Sequence, residues 1–147
     1  MSVNPIPSRY HTVTPYLATT GATELLQFVK DAFQATETEC VRSPDGRVQH
    51  AEVLIGDSPV MIGETMKELG PIPCTLYLYV DDVDSWFERA VKAGGTVLEE
   101  LQDKFYGDRT AAVLDACGNR WYMATHVEDV EPDEMERRAQ AEMQEGE

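Results

Sequence analysis

The sequence predicts an α+β fold built from paired βαβββ modules. Two helical patterns share one apolar spacing, i, i+3, i+4, i+7 and i+8, and they start at Leu25 and at Val83. Each pattern follows one strand-like run and precedes three more, with turn residues at matching places in the two halves. A repeated helix with repeated turns indicates that one supersecondary unit occurs twice in the chain.

The first module is predicted over residues 11–66. Its strands are expected in the runs HTVTPYL, TETECVR, RVQHAEVLI and PVMIGE, and its helix in ATELLQFVKDAF. Thr23 is the predicted N-cap of this helix, because its hydroxyl is suited to accept a backbone N–H of the first turn. Turns are expected at residues 44–46 and 56–58, where Pro, Gly, Asp and Ser cluster.

The second module is predicted over residues 74–126, after a linker at residues 67–73. Its strands are expected in the runs TLYLYV, TVLEEL, RTAAVLD and RWYMATH, and its helix in DDVDSWFERAVKAGG. Asp82 is the predicted N-cap, and Gly94 with Gly95 is expected to end the helix. Residues 127–147 are interpreted as an acidic C-terminal helix beginning near Pro132, and residues 1–147 as a single domain.

Charge, hydropathy and cysteine content exclude several classes of function. The formal charge of −15 predicts no nucleic-acid partner, because a polyanion is bound by a basic face. No apolar run of about eighteen residues and no basic, apolar leader occurs, so we expect no membrane association and a cytoplasmic location. The three cysteines form no C-x-x-C pair, which argues against a disulfide framework and a thiolate zinc site.

Four stretches resemble a known family: PYLATTGATELLQFVKDAFQA, PDGRVQHAEVLIGDSPVMIGE, YGDRTAAVLDACGNRWYMATHVED and DEMERR. The chain resembles the vicinal oxygen chelate superfamily of glyoxalases, bleomycin resistance proteins and dioxygenases. Within it, the chain is similar to the PhnB-like branch, close to 3-demethylubiquinone-methyltransferase-like domains. The resemblance implies a curved mixed sheet around a cavity, with helices on the other sheet face. Gln34 departs from this pattern, because the branch usually has glycine there.

Strand alternation within this fold predicts which side chains line the cavity. Val13 and Leu17 are expected to face the helix, as are Trp121 and Met123 near the chain end. The predicted lining consists of Tyr16, His50, Glu52, Leu54, Met61, Thr75, Tyr77, Tyr79 and Tyr122. Aromatic walls with a few polar groups are typical of small-molecule sites. The alternative is that these tyrosines only pack between the sheets, with their hydroxyls in water.

The resemblance also implies where metal-using relatives place their ligands, on the first and last strand of each module. Those positions here hold Thr14, Met61, Thr75 and Tyr122. Neutral hydroxyls, a thioether and a phenol with a pKa of about 10 are poor ligands for a divalent cation. We therefore expect no metal and no other cofactor. A metal held by His50 and Glu52 with a third ligand from His11 or His126 is the alternative.

The predicted function is metal-free binding of a small aromatic or weakly cationic molecule by a homodimer, as in sequestration or resistance. Anions such as glutathione conjugates and phosphonates fit poorly, since the predicted lining has no Arg or Lys. One alternative is a metal-independent isomerase or lyase, with His50 as general base and Glu52 as its catalytic partner. Another is a divalent-metal glyoxalase or dioxygenase. Asp108 and Arg109 are expected to form an ion pair that stabilises a turn, and a functional pair at the cavity mouth is the alternative.

Overall fold

The computed structural model describes residues 2–66 and 68–146. These residues form eight strands and three helices. In chain order the elements are β1 (Tyr16–Thr19), α1 (Ala22–Phe33), β2 (Thr36–Arg42), β3 (Val48–Ile55), β4 (Ser58–Glu64), β5 (Thr75–Tyr79), α2 (Val83–Lys92), β6 (Thr96–Asp103), β7 (Asp108–Leu114), β8 (Arg120–His126) and α3 (Pro132–Glu145). No helix in this part of the chain is long and apolar enough to span a membrane.

The strands form two four-stranded sheets with the same topology. Sheet 1 has the order β1-β4-β3-β2 and sheet 2 the order β5-β8-β7-β6. In each sheet the first strand pairs in parallel with the fourth, and the other pairs are antiparallel. The predicted α+β fold of paired βαβββ modules is therefore confirmed.

The helices cover one face of each sheet and join the two modules. Helix α1 packs on β3 and β4, helix α2 packs on β7 and β8, and the two helices pack on each other. The Trp121 ring lies 4.9 Å from Phe33 and 6.5 Å from Phe28, both on α1. Trp121 and Met123 are fully buried, as predicted. One continuous core thus forms from the helix-facing sides of both sheets.

The first strand begins later than the sequence pattern predicts. Strand β1 starts at Tyr16, and the expectation that Val13 faces the helix is wrong, because Val13 is 82% exposed. Pro15 has no N–H to give to a strand ladder, which favours a late start. Residues 5–14, here called the N-terminal arm, instead run over the helix-free side of sheet 1 and line a cleft there.

The helix ends agree with the sequence in part. Asp82 caps α2, since its carboxylate accepts the Ser85 N–H at 3.4 Å, but the prediction of Thr23 as the cap of α1 is wrong. Gly21 is the N-cap of α1, and the Thr23 hydroxyl accepts a bond from the backbone of the neighbouring strand β3. Gln34 ends α1 in the left-handed region at φ 53°, where a residue with a Cβ is strained.

A buried carboxylate holds the turn between β7 and β8. Asp115 is 4% exposed and accepts hydrogen bonds from the Trp121 indole at 2.8 Å and from the Asn119 side chain at 2.9 Å. It also accepts the backbone N–H groups of Cys117 and Asn119. The aromatic core and this turn are therefore coupled through one side chain, Trp121.

Replacing Trp121 by Phe is expected to lower the free energy of unfolding by about 2–4 kcal/mol, because volume is lost and Asp115 loses a donor. Trp86→Phe is the matched control. Trp86 is half-buried and stacks on Phe33 at 5.8 Å, so we expect a loss below about 1.5 kcal/mol. Urea denaturation measures both values. Equal losses in the two variants would contradict the coupling.

Candidate ligand-binding site

Side chains alternate between the core and the helix-free face along the strands of both sheets. Leu17 is 1% exposed, whereas its neighbour Tyr16 is 55% exposed. On β8, Trp121 and Met123 are buried and Tyr122 lies between them on the opposite face. The predicted lining residues therefore lie on the faces that the helices leave free.

The predicted lining falls into two groups, one on each sheet. The first face, on sheet 1, carries Tyr16, His50, Glu52, Leu54 and Met61, with Met61 beside both Tyr16 and Glu52. The second face, on sheet 2, carries Thr75, Tyr77, Tyr79 and Tyr122, with Tyr77 beside Tyr122. Among the described residues, no hydrogen bond or aromatic pair joins the two groups. The predicted lining is thus divided between two faces of the chain, here called the half-sites, whereas the sequence placed all nine side chains around one cavity.

Glu52 is the central charge of the first face. It is only 7% exposed, and its carboxylate lies 3.4 Å from His50 Nε2 and 3.1 Å from Arg9 Nη2. Burial raises the pKa of this carboxyl, but the polar neighbours, with Tyr10 first, and the Arg9 charge lower it overall. Glu52 is thus a buried anion, and a buried anion requires a cationic or hydrogen-bonding partner.

The N-terminal arm contributes two residues to the first face that sequence analysis missed. Arg9 bridges Glu52 and Glu39 through one nitrogen, at 3.1 and 2.9 Å, and lies 5.2 Å from the centre of the Tyr10 ring. With the arm, Glu52 and Met61 line a cleft of about 540 Å³. The predicted lining itself has no Arg or Lys, so Arg9 adds a cation that the sequence did not place there. Residues 5–10 of the arm have no strand or helix period, so no sequence pattern indicated where the side chains of Arg9 and Tyr10 lie.

Tyr16 lies flat across sheet 1 because Gly63 leaves room for it. A Cβ at Gly63 would clash with the Tyr16 hydroxyl and ring. The Tyr16 ring centre lies 5.9 Å from that of His50, which pairs with Gly63 in the strand register. Gly63 therefore sets the position of the aromatic wall on the first face.

Three tyrosines form a ring cluster on the second face. Tyr77 and Tyr122 stack with ring centres 6.0 Å apart and planes inclined by 7°, and Tyr79 lies 5.3 Å from Tyr77. Burial and the neighbouring Tyr106 phenol strongly raise the pKa of Tyr77, so the phenol stays neutral. Tyr77 and Tyr79 are nevertheless 45% and 66% exposed. The cluster is a neutral aromatic surface that is open to a flat molecule.

A buried carboxylate also anchors the second face. Asp108 is 2% exposed, accepts the Tyr79 hydroxyl at 2.8 Å and lies 2.8 Å from His126 Nδ1. His126 Nε2 lies 2.7 Å from Asp129. Hydrogen bonding to Asp108 and then to Asp129 raises the pKa of His126. His126 is a half-exposed residue that links a buried acid to the surface.

The expected ion pair between Asp108 and Arg109 does not form. Arg109 instead pairs with Asp84 at 2.8 Å and with Asp103 at 3.3 Å. Neighbours on a strand point to opposite faces, so Asp108 faces the tyrosines while Arg109 faces α2. Asp108 was not included in the predicted lining, because the adjacent opposite charge favoured the local pair.

The residues at the positions implied for metal ligands do not fit a divalent cation. The Thr14 hydroxyl donates to the His11 carbonyl at 3.0 Å, and Met61 and Tyr122 offer only a thioether and a phenol. Thr75 is exposed at the start of β5. Within residues 2–66 and 68–146, no three His, Cys, Asp or Glu side chains converge as a metal-binding group.

Comparison with known proteins identifies the family. The model of the glyoxalase/bleomycin resistance protein/dioxygenase superfamily matches residues 10–123. The chain belongs to this superfamily. Uncharacterized proteins of Mycobacterium bovis and Mycobacterium tuberculosis are each 34% identical to it over 147 residues. The matches cover 92% of this chain and 94% and 84% of the respective relatives.

Solved structures of other proteins share the fold. TioX from Micromonospora sp. ML1 is 25% identical with a TM-score of 0.69, over 80% of this chain and 99% of TioX. The PhnB protein from Bacillus cereus is 18% identical with a TM-score of 0.64, over 78% of this chain and 99% of that protein. The predicted resemblance to the superfamily and its PhnB-like members is therefore confirmed.

Replacing Gly63 by Ala is expected to displace the Tyr16 ring and to destabilise the protein. In a Tyr16→Ala background the same change should be neutral or stabilising by about 0.5–1 kcal/mol, because a strand glycine is replaced without a clash. A double-mutant cycle in urea should give a coupling energy of about 1–2 kcal/mol. Additive effects of the two substitutions would contradict the close approach of Tyr16 to Gly63.

His126 makes stability depend on pH in a defined direction. Its pKa is raised above the ordinary value of 6.5, so its bonds to Asp108 and Asp129 stabilise fully below pH 6.5. This contribution is lost as the pH rises through the raised value. Melting temperatures of the wild type should fall more steeply above pH 6.5 than those of His126→Gln. His11→Gln, which changes an exposed histidine in the arm, should keep the wild-type slope.

Proposed function

We propose that the protein binds and sequesters a small aromatic or weakly cationic molecule without a metal, in sites that two copies of the chain build together. The observation that carries this proposal is the stacked and open pair of Tyr77 and Tyr122. Parallel rings with neutral phenols favour a flat ligand, and each stacking or cation–π contact contributes roughly 0.5–2 kcal/mol. The bleomycin resistance proteins within the superfamily name are consistent with sequestration.

The buried acid of the first face supports a cationic part of the ligand. Glu52 is buried, and the aromatic side chains on its face are electron-rich. An acid beneath aromatic side chains favours a protonated amine or amidine over an anion. The chain charge of −15 acts in the same direction.

The exposure of both faces supports a homodimer. Tyr16, Tyr77 and Tyr79 are 45–66% exposed, and exposed aromatic groups of this kind mark binding surfaces. Within the described chain, β5 pairs only with β8, so its outer edge is free to meet a second copy. If the first face of one copy lies against the second face of another copy, the two faces together enclose the ligand.

We also propose that the protein is located in the cytoplasm. Its three cysteines are free, which suits a reducing compartment.

Geometry favours binding over catalysis by His50 and Glu52. The His50–Glu52 distance of 3.4 Å is long for an orienting hydrogen bond, and the other Glu52 oxygen is paired with Arg9. A general base of the predicted kind requires an acid that holds its imidazole closely. For this reason we do not propose the isomerase or lyase alternative.

A thermal-shift screen with aromatic amines, amidines and their neutral analogues tests the proposal. Tyr122→Ala and His50→Ala should each weaken the apparent affinity derived from the ligand-induced shift at least about tenfold. Each substitution removes one wall of the site. Tyr122→Phe keeps the ring and should keep most of the shift. Unchanged shifts in both alanine variants would show that binding occurs elsewhere.

Mixing the two alanine variants tests whether the site lies between copies. After subunit exchange, half of the dimers contain one copy of each variant, and each of these has one intact site, so about a quarter of the binding capacity should return. No recovery, with dimers present in light scattering, would place each site within one chain. A monomeric wild type would contradict the proposed assembly.

A further inference from the structure

We infer that Arg9 is a built-in competitor of the ligand, and that the N-terminal arm holds its guanidinium on the carboxylate that a ligand cation would take. The ligand class is therefore an aryl amidine, guanidine or amine. This inference rests on the proposed function and specifies the chemistry of the first face. It starts from the position of Arg9, which no strand or helix fixes.

Arg9 occupies the place expected for a ligand cation. Its Nη2 atom lies 3.1 Å from Glu52 and 2.9 Å from Glu39, inside the cleft of about 540 Å³ that the arm shares with Met61. The neighbouring Tyr10 ring lies 5.2 Å from the guanidinium carbon. A cation held by an acid and flanked by an aromatic ring is the arrangement by which proteins bind organic cations.

The geometry of this contact allows exchange. One nitrogen of Arg9 serves both carboxylates, so the parallel two-bond pairing that makes an arginine–carboxylate contact strong is absent. The Arg9 side chain is 47% exposed, which leaves the ion pair accessible to water and salt. Glu52 is buried at the same time, so it requires some cation at all times.

The arm itself is weakly attached to sheet 1. Within the described chain, arm residues 5–14 make no backbone hydrogen bond to a strand, and Arg9 bonds the strand residues Glu39 and Glu52 through its side chain. The Tyr10 hydroxyl is buried in the cleft beside the Glu52 carboxylate. Burial and this carboxylate raise the pKa of the phenol. Displacing the arm thus breaks few hydrogen bonds to the strands.

Titration calorimetry with benzamidine as the cation and benzamide as its neutral analogue tests the inference. Arg9→Ala should lower the Kd for benzamidine about tenfold, because the competing guanidinium no longer reduces the fraction of open sites. Arg9→Lys keeps a competing cation and should stay near the wild type. Arg47→Ala is the matched control, since Arg47 pairs with exposed Glu24 on the other side of the module. The Kd for benzamide, which forms no ion pair with Glu52, should change much less than that for benzamidine in Arg9→Ala.

The Glu52→Gln substitution tests whether Glu52 is the carboxylate that binds the benzamidine cation. In the Arg9→Ala background this change should remove the preference for benzamidine over benzamide, and circular dichroism confirms that each variant is folded. A benzamidine Kd in Arg9→Ala that equals or exceeds the wild-type value overturns the inference. If the aromatic screen still shows binding that depends on Tyr122, the proposed function stands while the role of Arg9 falls. If no aromatic compound binds any variant, the proposed function falls as well.

Discussion

The contact of Trp121 with helix α1 is the interaction on which the arrangement of both half-sites depends. Trp121 belongs to sheet 2, yet its ring packs on Phe28 and Phe33 of the first module while its indole N–H binds Asp115. Large aromatic side chains dominate core energetics, so this cluster fixes the helix-facing sides of the two sheets against each other. The polar and aromatic side chains of the candidate site consequently lie on the opposite faces of the two sheets.

The buried carboxylates of the two faces have different kinds of partners. Each has a buried carboxylate with a histidine nearby, Glu52 with His50 and Asp108 with His126. Asp108 is satisfied by groups of its own sheet and needs nothing further. Glu52 obtains its cation from a coil segment outside the sheet. The buried acid of the second face is thus paired within its own sheet, whereas that of the first face is paired with the N-terminal arm.

Sequence periodicity predicted the features that a two-residue repeat determines. The alternation of Trp121, Tyr122 and Met123 on β8 indicated which side chains face the core, because burial on one face forces that order. The same logic failed at Val13, since a late strand start after Pro15 removed the alternation it assumed. Alternation also assigns a residue only to a face of its own sheet. Alternation gives no information on the relative orientation of two sheets. The division of the lining into two half-sites was therefore not predictable.

Arg9 and Asp108 were not included in the predicted lining for a related reason. Arg9 lies in a segment without regular structure, and Asp108 stands beside an opposite charge that suggested a local pair. Their roles follow from tertiary contacts, with Glu52 in one case and with Tyr79 and His126 in the other. Patterns of spacing describe neighbours along the chain, whereas these contacts join residues far apart in sequence.

The covalent tether of the N-terminal arm sets a threshold for any ligand. A group tied to the chain by a short flexible segment acts at an effective concentration on the order of millimolar, whatever the amount of free ligand in solution. Small metabolic cations that offer charge alone must compete with that local concentration at Glu52. A molecule that adds stacking on tyrosine rings to its charge gains energy that Arg9 does not match. In the site that we propose, the arm would therefore disfavour simple cations relative to aromatic ones.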